Sequence, residues 1–525
     1  MLTNFPRVRT FFIEAHITRT FHIKDNVVYK WISSQATRAT DIINLRRNKT
    51  EDAGLKAIWD DRKGDIEQIQ TWLMESADTF IVIQGPRGSG KKELVLDQAL
   101  KGRKNTLVID CKPIQEARGD SATICAAALE VGYRPIFSWM NSISSLIDLA
   151  AQGTIGTKTG FSETLDAQLA KIWQNTANAL KKIALDGRKK DDKDAELDDD
   201  AYLEAHPERR PVVVVDNFLH KSQESNMVYD KISEWAANLT TANIAHVVFL
   251  TNDVSFSKSL SKALPDRVFR LIALGDCSPE VAKRFIINHL DADAEDGGGP
   301  EPKPKPSQMR ADLAELDDCI STLGGRLTDL EFLARRIKTG ESPKKAVRQI
   351  TEQSASEILK MYILGSGPRQ WTPEQAWHLV KSLAASESLR YNEILLSDIF
   401  KSGGEATLQA LEQAEMITIV SSNGRPTSIK PGKPVYTAAF RQLTGDNVLK
   451  ARLDLATLSE LIKIETQGID KYEAELHLLG RLPGSPAEVT GRTKWLLGKL
   501  YAGQAKVEQY EKESGVLKKV LQQEY

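Results

Sequence analysis

The sequence predicts an α/β protein. A parallel-sheet P-loop domain comes first, followed by a helical lid, a winged-helix-like unit and a C-terminal helical hairpin. Three observations carry this prediction. Gly85 to Lys91 fits GxxxxGK and lies between a β-rich run and a helical segment. Short Val/Ile/Leu-rich runs alternate with helical segments over the first half of the chain. Near residue 372 a helix-start signal opens three helical segments that end in an Asn-Gly hairpin signal.

The 525 residues exceed what one core absorbs, which implies about two to four domains. Hydrophobic residues at 41% and charged residues at 27% exclude a disordered or collagen-like chain. The formal net charge of −1 removes any whole-molecule attraction to nucleic acid or membrane, so such a partner must be read by a local patch. Cys111, Cys125, Cys277 and Cys319 are far apart and form no CxxC pair; all four are expected to be small buried apolar side chains. The eight histidines show no HxxxH spacing, and no metal is assigned to them. No apolar run reaches the ~18 residues that span a bilayer, and the N-terminus lacks the basic start and apolar run of a signal peptide. The sequence as it stands is expected to be soluble.

Residues 1–58 read as a lead-in that packs on the P-loop domain, with Phe11, Phe12, Ile13, Phe21 and Ile23 among its apolar residues. The P-loop domain is assigned to 59–290. A helix enters around Asp61, with Ile66, Ile69 and Leu73 at helical spacing. Strands are predicted at Phe80–Gln84, Thr106–Asp110, Pro211–Asp216, Ala245–Thr251 and Arg267–Leu274. They lack polar alternation, as suits strands buried on both faces of a parallel sheet. The long interval between the second and third strands holds helices at Tyr133–Leu149 and Ser162–Leu185, with a glycine-rich loop from Gln152 to Gly160 between them. Its charge run extends the interval through 187–208, which is expected to be a disordered insertion.

Residues 291–308, with GGGPEPKPKP, read as a linker, and 309–365 as the helical lid. The winged-helix-like unit covers 366–445. Thr372-Pro373-Glu374-Gln375 gives a cap, a first-turn proline and a capping-box glutamine, and a β-hairpin turns at Asn423-Gly424. Over 446–525, Leu455, Leu458 and Ile462 face Leu496, Leu500 and Val507 across a break at Pro483-Gly484-Ser485-Pro486. That pattern predicts an αα-hairpin.

The candidate nucleotide site is Gly85, Pro86, Arg87, Gly88, Ser89, Gly90, Lys91 and Lys92. Its glycines turn backbone N–H groups toward phosphate, the helix start adds positive potential, and Lys91 reaches the terminal phosphates. ATP or ADP is the expected ligand. Lys92 stands where Ser or Thr would hold Mg2+, so binding is expected to depend less on that ion. Val212 to Asp216 fits a Walker B strand, with Asp216 the candidate Mg2+ ligand. Asn217 follows where an active ATPase commonly has Glu, and an amide cannot take the proton of an attacking water. Asn252, ending the fourth strand, fits a sensor or an ordinary turn residue. Arg267 and Arg270 fit either an arginine finger toward a neighbouring subunit or surface ion pairs. Arg326, after Gly324-Gly325, is where a lid could return an arginine to the phosphates. Arg425, Lys430 and Lys433 of the wing fit phosphate contacts, but three basic residues favour protein packing. Tyr133, Phe137 and Trp139 read as core in preference to a pore or partner surface.

The order of P-loop, long insert, VVVVDN, FLTND, pre-strand arginine and GGR resembles the AAA+ branch of P-loop ATPases. More closely, GPRGSGKKELVLDQAL, the segment from Tyr133 through Ala177 and PVVVVDNF resemble the mitochondrial escape protein 2 family of fungi. That resemblance implies an inner-membrane protein with one membrane helix, an RNA-recognition domain on the matrix side and an AAA+-like domain in the intermembrane space. It also implies a role in maintaining mitochondrial DNA and nucleoids and in limiting escape of that DNA. On this expectation the chain is the intermembrane-space portion, beginning after the membrane helix. The implied partners are further copies in a ring, expected to be a hexamer, and other inner-membrane proteins. Neither RNA nor DNA binding is expected of this portion. The function implied is a ring-forming organiser with weak or no ATP hydrolysis; a scaffold with a vestigial P-loop and a winged-helix nucleic-acid remodeller are the alternatives.

Overall fold

The computed structural model describes residue 10 and residues 13–18, 54–133, 165–186, 188, 197–219, 227–253, 255–292, 305–365, 369–401, 403–422, 425–481 and 487–522. They divide into two compact units, Met1–Met309 and Arg310–Tyr525.

The first unit is built on five strands: β1 (Ile81–Gln84), β2 (Thr106–Asp110), β3 (Val212–Phe218), β4 (His246–Thr251) and β5 (Arg270–Ala273). All pair in parallel, in the order β2-β3-β4-β1-β5. Alternate residues feed two separate cores. Val82, Leu107, Ile109, Val213, Val215, Val247 and Phe249 pack with helices Asp120–Glu130, Leu165–Leu185 and Met227–Thr241. Ile81, Ile83, Val212, Val214, Val248 and Leu250 pack with helix Lys63–Trp72 and the segment Leu94–Ala99 on the other side. Burial on both faces is why the valine run shows no polar alternation. Together with the P-loop, this is the predicted AAA+-like α/β sheet, in which β4 separates the P-loop strand from the Walker B strand.

From the lead-in, Ile13 and Ile17 are buried in the first of these cores, which supports its packing on the domain. The helix predicted at Tyr133–Leu149 and the Gln152–Gly160 loop lie outside the described residues, apart from Tyr133. The region expected to be disordered contains a helix, Asp199–Ala205, whose Tyr202 and Leu203 are buried against Ala184 and Leu185. These two residues supply the apolar anchor that the charge run before them lacks. Of the cysteines, Cys111, Cys277 and Cys319 are buried, but Cys125 is exposed. It lies on the solvent side of helix Asp120–Glu130.

The second unit begins with helices Leu316–Leu323, Leu327–Lys338 and Pro343–Ile358 in the region expected to form the lid. The winged-helix pattern follows as predicted. Helix Pro373–Ala385 carries the Thr372/Gln375 capping box. Two further helices, Tyr391–Leu396 and Gly404–Gln413, precede the hairpin. Its strands β7 (Ile417–Ser422) and β8 (Arg425–Pro431) join β6 (Leu389–Arg390) in an antiparallel sheet. The turn at Asn423-Gly424 lies outside the described residues. Helix Tyr436–Gly445 comes next, an element the sequence pattern did not separate from the wing. The C-terminal hairpin consists of helices Asn447–Gly480 and Ala487–Gln522, with Leu458 and Leu496 buried. The Trp377 indole and the Lys381 ammonium both donate to Asp454 Oδ1, at 2.8 and 2.9 Å, and tie the first hairpin helix to the winged-helix unit. Among the described residues, no helix is long and apolar enough to cross a membrane.

Candidate nucleotide site

The site sits at the C-terminal ends of the parallel strands. β1 ends at Gln84, whose carbonyl accepts from Leu274 N at 2.7 Å, and Gly85 N donates to Thr251 O at 3.1 Å. The loop therefore leaves the sheet pinned to both neighbouring strand ends. A Cβ at Gly85 would lie 2.7 Å from Leu274 O, so only glycine fits this close approach. Gly88 at φ 73° and Gly90 at φ 81° are left-handed, as the turn into the Lys91 helix requires. That helix, Lys91–Glu93, continues as π-helix over Leu94–Ala99 and buries Leu94, Val95 and Ala99 in the second of the sheet's two cores.

Lys91 Nζ donates to the carbonyls of Gly85 at 2.7 Å and Pro86 at 2.8 Å. The ammonium thus folds over its own loop, where phosphate oxygens can exchange with those carbonyls. Lys92 pairs instead with the Walker B carboxylate, its Nζ 2.9 Å from Asp216 Oδ2. Asp216 Oδ1 accepts from Asn217 N at 2.9 Å. Asn217, at φ 53°, donates its side-chain amide to Asp110 Oδ1 at 2.9 Å. Asp110 and Asp216 are register partners at the ends of β2 and β3. Behind them, Glu130 Oε2 accepts from Asp110 N at 2.9 Å.

These charges act on one another. Burial pushes the Glu130 carboxyl above the usual range, and Asp110 and Asp216 add to that against the Asp110 N–H bond and Lys92. Burial also raises the Cys111 thiol, with Asp110 and Asp216 adding to the effect. For Lys92, burial works to lower the pKa. The Asp216 bond and the charges of Asp216, Asp110 and Glu93 outweigh it, so the ammonium is held above its ordinary value.

A P-loop fold implies Mg2+ beside the phosphates, and the residues here do not fit that ion. Lys92 replaces the hydroxyl ligand, and its ammonium engages the oxygen that Asp216 was expected to offer. Ser89, the loop's one hydroxyl residue, is 1% exposed. Mg2+ needs near-octahedral oxygen ligands at about 2.0–2.1 Å, and an ammonium supplies none.

Asn252 follows Thr251 at the end of β4, between the ends of β1 and β3, and so lies on the site's side of the sheet. Arg270 opens β5 opposite Ile81, at the far edge of the sheet from the P-loop. It bonds Glu75 at 2.8 Å, Asp78 at 3.3 Å and the Trp72 carbonyl at 3.2 Å. Arg267 precedes it and lies 3.9 Å from Asp78. Ion pairing is thus what these arginines do within this chain.

Arg326 belongs to the second unit, where it is 4% exposed and donates to Gly432 O at 3.3 Å. A Cβ at neighbouring Gly324, φ 81°, would come within 2.1 Å of Pro434, which gives the Gly324-Gly325 motif a packing role. In the wing, Arg425 and Lys430 are exposed and Lys433 lies over the Tyr436 ring at 5.4 Å. Tyr133 is core, as expected, whereas Phe137 and Trp139 lie outside the described residues.

Sequence reasoning did not single out Arg62, Asp110 or Glu130. Arg62 is 7% exposed and donates to Ser89 O at 2.6 Å and Gly275 O at 3.1 Å, bracing the loop from the preceding helical segment. Thr251 is fully buried, and its hydroxyl donates to Phe218 O at 2.9 Å while its carbonyl holds Gly85. The one available signal was the TLVID run, which ends in a carboxylate just as VVVVD does.

The profile of the RNA12 protein family matches residues 62–482. Mitochondrial escape protein 2 of Phaeosphaeria nodorum is 66% identical over 99% of this chain and 64% of its own length. The protein of the same name from Aspergillus niger is 59% identical over 100% of this chain and 63% of its own length. The chain therefore spans a little under two thirds of these curated relatives. Among solved structures, a Walker-type ATPase of Pyrococcus abyssi aligns with 72% of this chain and 95% of its own, at 12% identity and a TM-score of 0.44. The Orc1 protein of Aeropyrum pernix in complex with DNA aligns with 75% and 94%, at 12% identity and a TM-score of 0.35.

Proposed function

The chain belongs to the RNA12 protein family, and we propose that it is the nucleotide-binding, AAA+-like module of a mitochondrial inner-membrane protein. On this reading it faces the intermembrane space and takes ATP or ADP as an assembly ligand. It organises a ring that maintains the mitochondrial genome and its nucleoids and limits escape of that DNA, with slow or no hydrolysis. The mitochondrial assignment draws on the name shared by its relatives.

One observation supports the nucleotide reading: Gly85 fits only as glycine, Gly88 and Gly90 are left-handed, and the Lys91 ammonium lies on the loop's own carbonyls, a form that suits a phosphate cradle. Slow hydrolysis is favoured by Asn217, whose amide is spent on Asp110 and has no basic atom to offer a water. A thermal-shift titration tests the reading. At about 100 times Kd, a ligand bound only by the native state adds about 2.7 kcal/mol of stability. Saturating ATP or ADP should raise the melting temperature of the wild-type chain and leave that of Lys91→Ala unchanged. No shift in the wild type would leave the scaffold reading standing in its place.

A further inference from the structure

The cation expected beside the phosphates of a P-loop is a metal held by a hydroxyl and the Walker B carboxylate. Here the hydroxyl position is Lys92, and Asp216 is already bonded to that residue's ammonium. We propose that Lys92 is the resident cation of this site, so that nucleotide binds without Mg2+ and Asp216 serves to seat Lys92 against the phosphates. The proposal rests on the nucleotide reading above and specifies its ion requirement.

Four features converge on it. The Lys92–Asp216 pair is a 2.9 Å contact with the carboxylate largely shielded by the protein, its side chain 12% exposed against 47% for Lys92. Lys92 is thus anchored by its ion pair while nearly half of its side chain stays exposed. The other Asp216 oxygen is held by Asn217 N, which fixes the carboxylate's orientation toward Lys92. Asp110 sits beside this pair as the register partner of Asp216, so a local excess of negative charge keeps an ammonium in place. Lys91 and Lys92 together present two positive charges to the phosphates, with Lys92 adding a single charge at the place where an ordinary P-loop adds a divalent ion. A metal entering at Asp216 would have to displace an ammonium from its ion pair and accept its repulsion at close range.

The test is equilibrium binding of ADP and ATP to the full chain, measured by calorimetry in excess EDTA and again in excess MgCl2. It is run on wild type, Lys92→Thr, Lys92→Met and Asp216→Asn, with folding checked by circular dichroism. The wild type should bind with affinities equal within about twofold in the two conditions. Lys92→Thr, which restores a hydroxyl ligand, should bind at least about tenfold more weakly in EDTA than in MgCl2. If threonine impairs folding, Lys92→Met provides the same test, because losing the charge should weaken binding in EDTA by a similar factor. Asp216→Asn should weaken binding equally with and without the metal, since it unseats Lys92 in both. A wild-type affinity that falls about tenfold or more on chelation would overturn the proposal. Failure of the wild type to bind in either condition would instead overturn the nucleotide reading on which it rests.

Discussion

The Asn217 side-chain amide donates to Asp110 Oδ1 at 2.9 Å and joins the ends of β2 and β3. A residue in the position of a hydrolytic glutamate is therefore spent on structure, and its left-handed φ of 53° suits asparagine among non-glycine residues. Asn217→Glu should not create an ATPase. It places a third carboxylate against Asp110 and Asp216 and should cost about 2 kcal/mol at neutral pH. The new carboxyl's folded pKa would be raised above its unfolded value of about 4.3. Its contribution is then most favourable below that value and is lost as pH rises through the folded pKa. Denaturant titrations at acidic and neutral pH check this: a penalty that does not shrink in acid contradicts it. Asn217→Gly, which keeps the backbone conformation but loses the amide bond, should cost less.

Arg62 braces the P-loop through two backbone carbonyls in a nearly water-free setting. Arg62→Ala leaves Ser89 O and Gly275 O without that donor and should destabilise the first unit by about 2–3 kcal/mol. Arg62→Lys keeps the charge, but a single ammonium lacks the planar fork that reaches both carbonyls, so it should recover only part of the loss. Urea denaturation measures both. If Arg62→Ala unfolds at the wild-type midpoint, the brace carries no energy.

What was legible in the sequence was local. The Gly85–Lys91 spacing, the VVVVD run and the Thr372–Gln375 cap each encode their geometry within a few residues, and each formed where expected. What escaped was set by contacts across long separations. Arg62 meets Gly275 across 213 residues, and Asn217 meets Asp110 across 107. No window of sequence shows such pairs. Helix Asp199–Ala205 was hidden for a different reason. Its two anchoring residues follow a run of charge that dominates any local average, and their partners Ala184 and Leu185 lie on a separate helix. Arg326 is defined here by its own unit alone, where it is buried and donates to Gly432 O while Gly324 accommodates Pro434.

Tyr202 holds the short helix of the charged insertion to helix Leu165–Leu185. It is fully buried, with the Arg188 and Arg209 guanidinium groups 5.2 and 5.6 Å from its ring centre. Tyr202→Ala removes this anchor, at a cost of about 3 kcal/mol for the segment. Because the segment opens locally, trypsin should cut at Arg188 and Arg209, the two arginines beside the Tyr202 ring, several-fold faster while the global melting temperature falls only slightly. Tyr202→Phe is the control. The Tyr202 hydroxyl makes no hydrogen bond among the described residues, so the phenylalanine should protect the segment at least as well as the native tyrosine. Equal cleavage rates for the alanine variant and the wild type would show that Tyr202 is not the anchor.

His246 opens β4 at the edge of the sheet opposite the nucleotide site and is 2% exposed. Burial lowers its pKa from 6.5 to about 3, helped by the charges of Arg103, Arg210 and Arg270 against a backbone hydrogen bond to Leu73. The folded state therefore holds this imidazole neutral where the unfolded chain would protonate it. A depressed folded pKa means that the stability is fully present above the unfolded value of 6.5 and is lost as pH falls toward about 3. Within that window the loss approaches about 1.4 kcal/mol per pH unit. His246→Gln removes the titrating group. Whatever its effect at neutral pH, the slope of unfolding free energy against pH between about 6 and 4 should flatten by about one proton. Denaturant midpoints collected across that range decide the matter, because parallel curves for variant and wild type would mean that His246 stays accessible to protons in the folded chain.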